Sequence, residues 1–140
     1  MTHFSLIIGG YGTGIGYHAT TEILQSNGVV SAGPSLPNKV WGHCMVTRID
    51  GMVTITSNRK VWIFNPNDES YESGPQMGNA HWSHACALFK SAMHNYREVV
   101  LVAGGVNENT VEIWDYQTQG SSWLPSKCNF VFDLHNKTES

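Results

Sequence analysis

Two short segments of this sequence recur 41 positions further along the chain, and this internal repeat constrains the fold more than any other feature. Residues 41–44 (WGHC) return as residues 82–85 (WSHA), and residues 33–36 (GPSL) return as residues 74–77 (GPQM). Two independent anchors therefore share one period. A repeat of about 40 residues is a small structural unit that buries its apolar faces only against neighbouring copies.

Three tetrapeptides with the same pattern predict equivalent β-strands in successive units. Residues 21–24 (TEIL), 61–64 (VWIF) and 111–114 (VEIW) each carry isoleucine at the third position. Because neighbouring side chains of a strand point to opposite faces, the isoleucine marks one buried face and the residue after it marks the other. Burial on both faces is what stacked sheets require.

A second kind of strand ends in a pair of glycines. Residues 6–8 and 99–103 are apolar runs that are too short for buried helices and are typical of central strands. The glycines allow a sharp turn or a close approach between backbones. They are Gly9, Gly10, Gly104 and Gly105. In the middle unit Ser57 and Asn58 stand at this place, and asparagine tolerates a left-handed backbone better than most residues.

The composition agrees with an all-β fold. The chain has 140 residues with 14 glycines, five tryptophans and five tyrosines, and only 14% of its residues are charged. This mixture suits short strands joined by tight turns better than it suits solvated helices. The length is enough for one compact domain.

Charge and hydropathy exclude several classes of partner. The formal net charge is -3 and lysine and arginine are not clustered, so we expect no binding to nucleic acid. No segment approaches the ~20 apolar residues of a membrane span, and the first ten residues do not resemble a secretion signal. We therefore expect a soluble cytoplasmic protein without a membrane partner. Cys44, Cys86 and Cys128 form no CxxC pair and are odd in number, which predicts free, mostly buried thiols.

The repeat resembles the kelch repeat. An apolar strand ending in two glycines, a strand with an aromatic residue, and a tryptophan about eight to ten residues later are its marks. Gly104, Gly105, Tyr116 and Trp123 match them best, and together with Gly9 and Gly10 we assign them structural roles. The WD-type repeat fits less well, because the dipeptide at 114–115 (WD) occurs once and in the wrong strand.

The resemblance implies a partial β-propeller of about three four-stranded kelch-type blades. The kelch segment covers residues 1–135, in units of roughly 1–37, 38–77 and 78–126, with a start of a further strand at 129–134, and residues 136–140 form a polar tail. The first unit lacks its opening strand. Closed propellers have typically four to eight blades, so either the chain is part of a longer protein or two copies pair into one ring.

In kelch proteins the loops carry most binding residues, so the resemblance implies a protein-protein interaction module, such as part of a longer adaptor or substrate-recognition protein, and not an enzyme. We predict no cofactor, and a protein partner of unknown identity. The predicted partner-binding residues are Tyr11, Tyr17, His18, Trp41, His81, Trp82, Asn107 and Glu108. A tryptophan repeated in phase is often a packing residue, so a structural role for Trp41 and Trp82 stays open.

Two patterns invite other functions. His81 and His84 have HxxH spacing, but on a strand they would face opposite sides and no ligand set completes a site, so we predict no metal. His43 and His84 are instead expected to hydrogen-bond to backbone at equivalent places. The glycines at 12, 14 and 16 lack the following helix of a nucleotide fold. The alternative function is a fragment of a galactose oxidase-like copper enzyme, which resembles kelch proteins in fold.

Overall fold

A computed structural model describes residues 4–126, and this part of the chain is built from short antiparallel strands. The all-β class is therefore confirmed for these residues. One short 3-10 turn, Ala92–His94, interrupts them, and no helix within 4–126 is long and apolar enough to cross a membrane. The strands are β1 (Phe4–Ile8), β2 (Tyr11–Gly12), β3 (Gly16–Tyr17), β4 (Thr21–Gln25), β5 (Val30–Ala32), β6 (Cys44–Thr47), β7 (Val53–Ser57), β8 (Lys60–Asn65), β9 (Ser70–Ser73), β10 (Ala85–Ser91), β11 (Arg97–Ala103), β12 (Val111–Trp114) and β13 (Leu124–Pro125).

The strands form three small sheets and one hairpin. Sheet 1 has the order β1-β4-β5, sheet 2 the order β6-β7-β8-β9, and sheet 3 the order β10-β11-β12-β13. The two-stranded hairpin β2-β3 lies in the connection between β1 and β4. The strands of each sheet fall within one predicted repeat unit. The further strand predicted at 129–134 and the tail at 136–140 lie outside the described residues.

Sheet 2 is buried on both faces, as the repeated tetrapeptide predicts. Ile63 packs in a cluster with Val100 and Trp114 of sheet 3. The next residue, Phe64, packs on the opposite face in a cluster with Ile8 of sheet 1. Because Ile63 and Phe64 point to opposite sides of β8, one strand contributes to both cores.

Polar side chains add links between neighbouring sheets. The hydroxyls of Thr21 in sheet 1 and Tyr71 in sheet 2 lie 2.6 Å apart. The indole N–H of Trp123 donates to the carbonyl oxygen of Pro75, at 2.8 Å, so the tryptophan assigned a structural role joins sheet 3 to the turn after sheet 2. Tyr116 donates its hydroxyl to Glu98, and the guanidinium of Arg48 lies 4.3 Å from the centroid of the Tyr116 ring.

The glycine pairs let the next unit approach closely. Gly9 has φ +58, and a Cβ atom there would lie 2.5 Å from Val40 Cγ2. Gly105 has φ +123, and a Cβ atom there would lie 2.5 Å from the carbonyl oxygen of Trp82. Asn58, which stands at the same place in sheet 2, adopts φ 58, a left-handed backbone that asparagine tolerates better than most residues.

The expectation of free thiols is wrong for two of the three cysteines. Cys44 in β6 and Cys86 in β10 form a disulfide with their Cα atoms 5.9 Å apart. The physical reason is the repeat itself: the opening strands of successive units lie side by side, so cysteines separated by 42 positions meet. Cys128 lies outside the described residues.

We predict that the double variant Cys44→Ser/Cys86→Ser is less stable than the oxidised protein by about 2 to 4 kcal/mol, because the crosslink restricts the unfolded chain. Urea denaturation followed by circular dichroism measures this difference. A reducing agent should destabilise the wild type similarly and leave the double variant unchanged. Full alkylation of both thiols in the native, unreduced protein would contradict the pairing.

Candidate functional site

Four aromatic side chains form a continuous row at the junctions between the sheets. The ring centroids are 5.4 Å apart for Tyr11 and Tyr17, 5.2 Å for Tyr17 and Trp41, and 5.9 Å for Trp41 and Trp82. The planes of the two tryptophans differ by 11°. Tyr11 is 66% exposed, Tyr17 42% and Trp41 37%, so the row is open to solvent. We call these four residues the aromatic row.

Backbone hydrogen bonds fix the first half of the row. Tyr11 and Tyr17 are paired directly across the hairpin β2-β3. The N–H of Val40 donates to the carbonyl oxygen of His18 at 3.0 Å, and the N–H of Gly10 donates to the carbonyl oxygen of Val40 at 3.1 Å. The segment that carries Trp41 is therefore tied to both ends of the hairpin.

The second half of the row adjoins the loop after β11. The N–H of Val106 donates to the carbonyl oxygen of Trp82 at 2.9 Å. Asn107 is exposed and has φ 57. The carboxylate of Glu108 accepts the N–H groups of Asn109 and Thr110 within its own loop. The loop after β11 therefore lies against the backbone of Trp82, at the end of the aromatic row.

His81 does not belong to this surface. Its side chain is fully buried, so it cannot touch a partner directly. One ring nitrogen lies 2.9 Å from Glu112 Oε2 and the other lies 2.7 Å from the carbonyl oxygen of Gly104. The carboxylate of Glu112 also accepts the N–H groups of Gly78 at 2.6 Å and Asn79 at 3.0 Å. We call these five residues the polar lock between sheets 2 and 3.

Sequence reasoning missed Glu112, although a signal was present. Glu112 stands between Val111 and Ile113 in a strand that is buried on both faces, where a charged side chain must find partners. The histidine that satisfies it lies 31 positions earlier in the chain. Only the fold shows that the two meet.

The junction between sheets 1 and 2 has no such lock. Trp62 stands at the place of Glu112, Val40 at the place of His81, and Pro37 at the place of Gly78. Because Pro37 has no N–H and Val40 no polar side-chain atom, no carboxylate is required here. The Nε1 atom of Trp62 is buried without a hydrogen-bond partner.

A cavity of about 290 Å³ lies at this junction. It shares two tryptophans with the aromatic row, and we call it the tryptophan cleft. Its lining residues are Asn38, Lys39, Val40, Trp41, Ser57, Asn58, Lys60, Trp62 and Trp82. Three of the five tryptophans of the chain therefore meet at one surface depression.

His43 and His84, the residues just before β6 and β10, have surroundings that the sequence did not predict. His84 Nε2 lies 2.7 Å from the hydroxyl of Thr56, a side-chain partner that the sequence did not predict. The Nδ1 atoms of His43 and His84 are buried without partners. Burial is the main cause that lowers the pKa of His84 to about 4, and the charges of His81 and His43 lower it further. Burial also lowers the pKa of His43. Within residues 4–126 no group of three or more histidine, cysteine or acidic side chains is placed to hold a metal ion.

Fold and surface together define an all-β protein of small antiparallel sheets with a row of exposed aromatic rings at the sheet junctions. Neither protein-family models nor curated protein sequences gave a match to this chain. The assignment to the all-β class therefore rests on the strands and sheets of residues 4–126.

We predict that Glu112→Ala lowers the free energy of unfolding by about 3 to 5 kcal/mol, because it leaves the buried His81 ring and the part-buried N–H groups of Gly78 and Asn79 without their acceptor. Chemical denaturation measures the change. Glu22→Ala is the matched control, since Glu22 holds the equivalent position in β4 but is exposed, and it should cost no more than about 0.5 kcal/mol. Equal effects of the two substitutions would contradict the polar lock.

We predict that the protein loses about 1 kcal/mol of stability between pH 7 and pH 5 through His84. Its pKa is about 4 in the folded state and ~6.5 in the unfolded state, so the unfolded state binds more protons in this window and stability falls as the pH falls. The figure is reduced for the partial exposure of the ring. Urea titrations at both pH values test it.

His84→Gln should reduce this pH dependence. An unaltered slope in His84→Gln would show that His84 is protonated alike in both states.

Proposed function

We propose that this chain is a kelch-type protein-protein interaction module whose contact surface is the aromatic row. The observation that carries the proposal is that four aromatic rings contact one another in succession at the surface, and that three of them, Tyr17, Trp41 and Trp82, are stacked. In this proposal the chain forms about three blades of a β-propeller and is part of a longer adaptor or substrate-recognition protein.

The packing of the sheets supports the propeller interpretation. Sheet 2 has one face against sheet 1 and the other against sheet 3, which is how successive blades pack. The strands of each four-stranded sheet follow the order of the sequence. The opening strands β6 and β10 are neighbours joined by the disulfide, as expected for the inner strands of adjacent blades.

The exposure of Trp41 supports a contact role. Trp114 and Trp123, which pack in the core, are 5% and 6% exposed, whereas Trp41 is 37% exposed. We would expect a tryptophan with only a packing role to be as deeply buried as Trp114 and Trp123. Exposed tryptophan and tyrosine clusters are frequent anchors of protein interfaces, because large rigid rings bury much area at a small cost in entropy.

Sheet 1 leaves the outer edge of β1 unpaired within the described residues, since β1 pairs only with β4. An open strand edge is a template for another strand. A preceding part of a longer chain or a second copy of this chain would fill it.

The predicted cytoplasmic location remains a proposal, and the disulfide favours an oxidising compartment instead.

Affinity capture tests the contact surface. Immobilised wild-type protein should retain a partner, identified by mass spectrometry and then purified, that binds the double variant Tyr17→Ala/Trp41→Ala at least tenfold more weakly, because the two substitutions remove the centre of the row. Tyr96→Ala is the control, since Tyr96 is 72% exposed and lies outside the row. Circular dichroism should show all variants folded.

Equal binding of the purified partner to wild type and to Tyr17→Ala/Trp41→Ala would reject the aromatic row as the interface. Loss of binding in Tyr96→Ala alone would place the interface around the turn at 92–96.

A further inference from the structure

We propose that the tryptophan cleft binds an extended, acidic, proline-containing peptide segment of a partner protein. This inference rests on the proposed function and specifies the chemistry of the partner. It is carried by the difference between the two sheet junctions, by the charge of the cleft, and by its continuity with the aromatic row.

The cleft lies where the repeat has lost its internal closure. Between sheets 2 and 3, the carboxylate of Glu112 fills the junction and satisfies the N–H groups facing it. Between sheets 1 and 2, Trp62 stands at the place of that carboxylate, and it lines a cavity of about 290 Å³. Its indole N–H has no acceptor within the described chain, and a buried donor without an acceptor costs free energy that a ligand carbonyl can recover.

The charge of the cleft selects an anionic ligand. Lys39 and Lys60 are the two charged residues in its lining, and both are cations on a chain of net charge -3. Lys60 Nζ donates to Asn38 Oδ1 at 2.9 Å, which holds the ammonium at the cleft. An ammonium has three donors, so this bond leaves two for a carboxylate. Complementary charge across such a contact gives specificity and speeds association.

The aromatic lining selects an extended segment with proline. Aromatic grooves bind polyproline II segments, whose rings pack on aromatic faces and whose carbonyl groups are free of internal hydrogen bonds. Such a carbonyl is the kind of acceptor that the indole N–H of Trp62 lacks. From Trp82 the row continues in steps of 5.9 and 5.2 Å to Trp41 and Tyr17. A polyproline II chain rises about 3.1 Å per residue, so about four residues would cover the distance from Trp82 to Tyr17.

Fluorescence anisotropy with three labelled nine-residue peptides tests the inference. One peptide alternates glutamate with proline, the second replaces glutamate with lysine, and the third replaces proline with glycine while keeping the glutamates. The first should bind at least tenfold more tightly than either of the others at low salt. Raising the salt concentration should weaken it, since exposed charges are screened.

Variants of the full chain place the site. Lys60→Glu should weaken binding of the acidic proline peptide at least tenfold, whereas Lys90→Glu, at an exposed lysine in β10, should leave it unchanged. Trp62→Phe keeps a ring but removes the indole N–H, and should weaken binding about fivefold. If Trp62→Phe fails to fold, Lys60→Glu alone decides the location.

Several results would overturn the inference. Equal binding of all three peptides, or of Lys60→Glu and wild type, would do so. Binding of a neutral oligosaccharide that displaces the acidic peptide would assign the cleft to sugars. A dimer in sedimentation that Lys60→Glu dissociates would assign it to a second copy. If the cleft fails these tests while Tyr17→Ala/Trp41→Ala still abolishes binding of the captured partner, the interaction function stands and only the peptide chemistry falls.

Discussion

The burial of sheet 2 on both faces is the constraint on which the remaining structure depends. Ile55 and Phe64 of sheet 2 are buried in the core shared with sheet 1, and Val61 and Ile63 of sheet 2 are buried in the core shared with sheet 3. Burying one such side chain stabilises the folded state by about 1.5 to 3 kcal/mol. Separating either neighbouring sheet from sheet 2 would expose the apolar side chains of the core between them. The segments that enter sheets 2 and 3 form equivalent β-bridges, Val40 with His18 and His81 with Asn58. Trp41 and Trp82 each follow one of these bridges directly, and their rings stack on each other.

The local structure was predictable from the sequence because it depends on short-range patterns. The repeated tetrapeptides predicted β4, β8 and β12, and Asn58, which stands where the other units have a glycine pair, adopts the left-handed backbone that asparagine tolerates. The long-range contacts were not predictable in the same way. A period locates equivalent residues in successive units, but it does not say which residues of different units touch. The disulfide of Cys44 with Cys86 and the burial of His81 both depend on such contacts.

The two junctions between sheets show how one repeat can serve stability at one place and leave a surface available at another. In the junction of sheets 2 and 3, Glu112 and His81 form a buried pair that has no exposed donor or acceptor to offer. In the junction of sheets 1 and 2, Trp62 and Val40 occupy the same places without polar partners. Pro37, which stands at the place of Gly78, has no N–H group. The absence of a carboxylate at this junction therefore leaves no donor of residue 37 without an acceptor. Three concerted differences therefore separate a closed junction from an open one.

The exposed aromatic row is stable in the absence of a partner because its rings pack against one another. Each stacked or tilted pair contributes about 0.5 to 1.5 kcal/mol beyond the area it buries, which offsets part of the cost of contact with water. The backbone bonds between Gly10, His18 and Val40 hold the hairpin against the segment that carries Trp41. A partner would then meet side chains that are already ordered, so little conformational entropy is lost on binding. For this reason the row is suited to weakly structured partners, which must themselves be ordered when they bind.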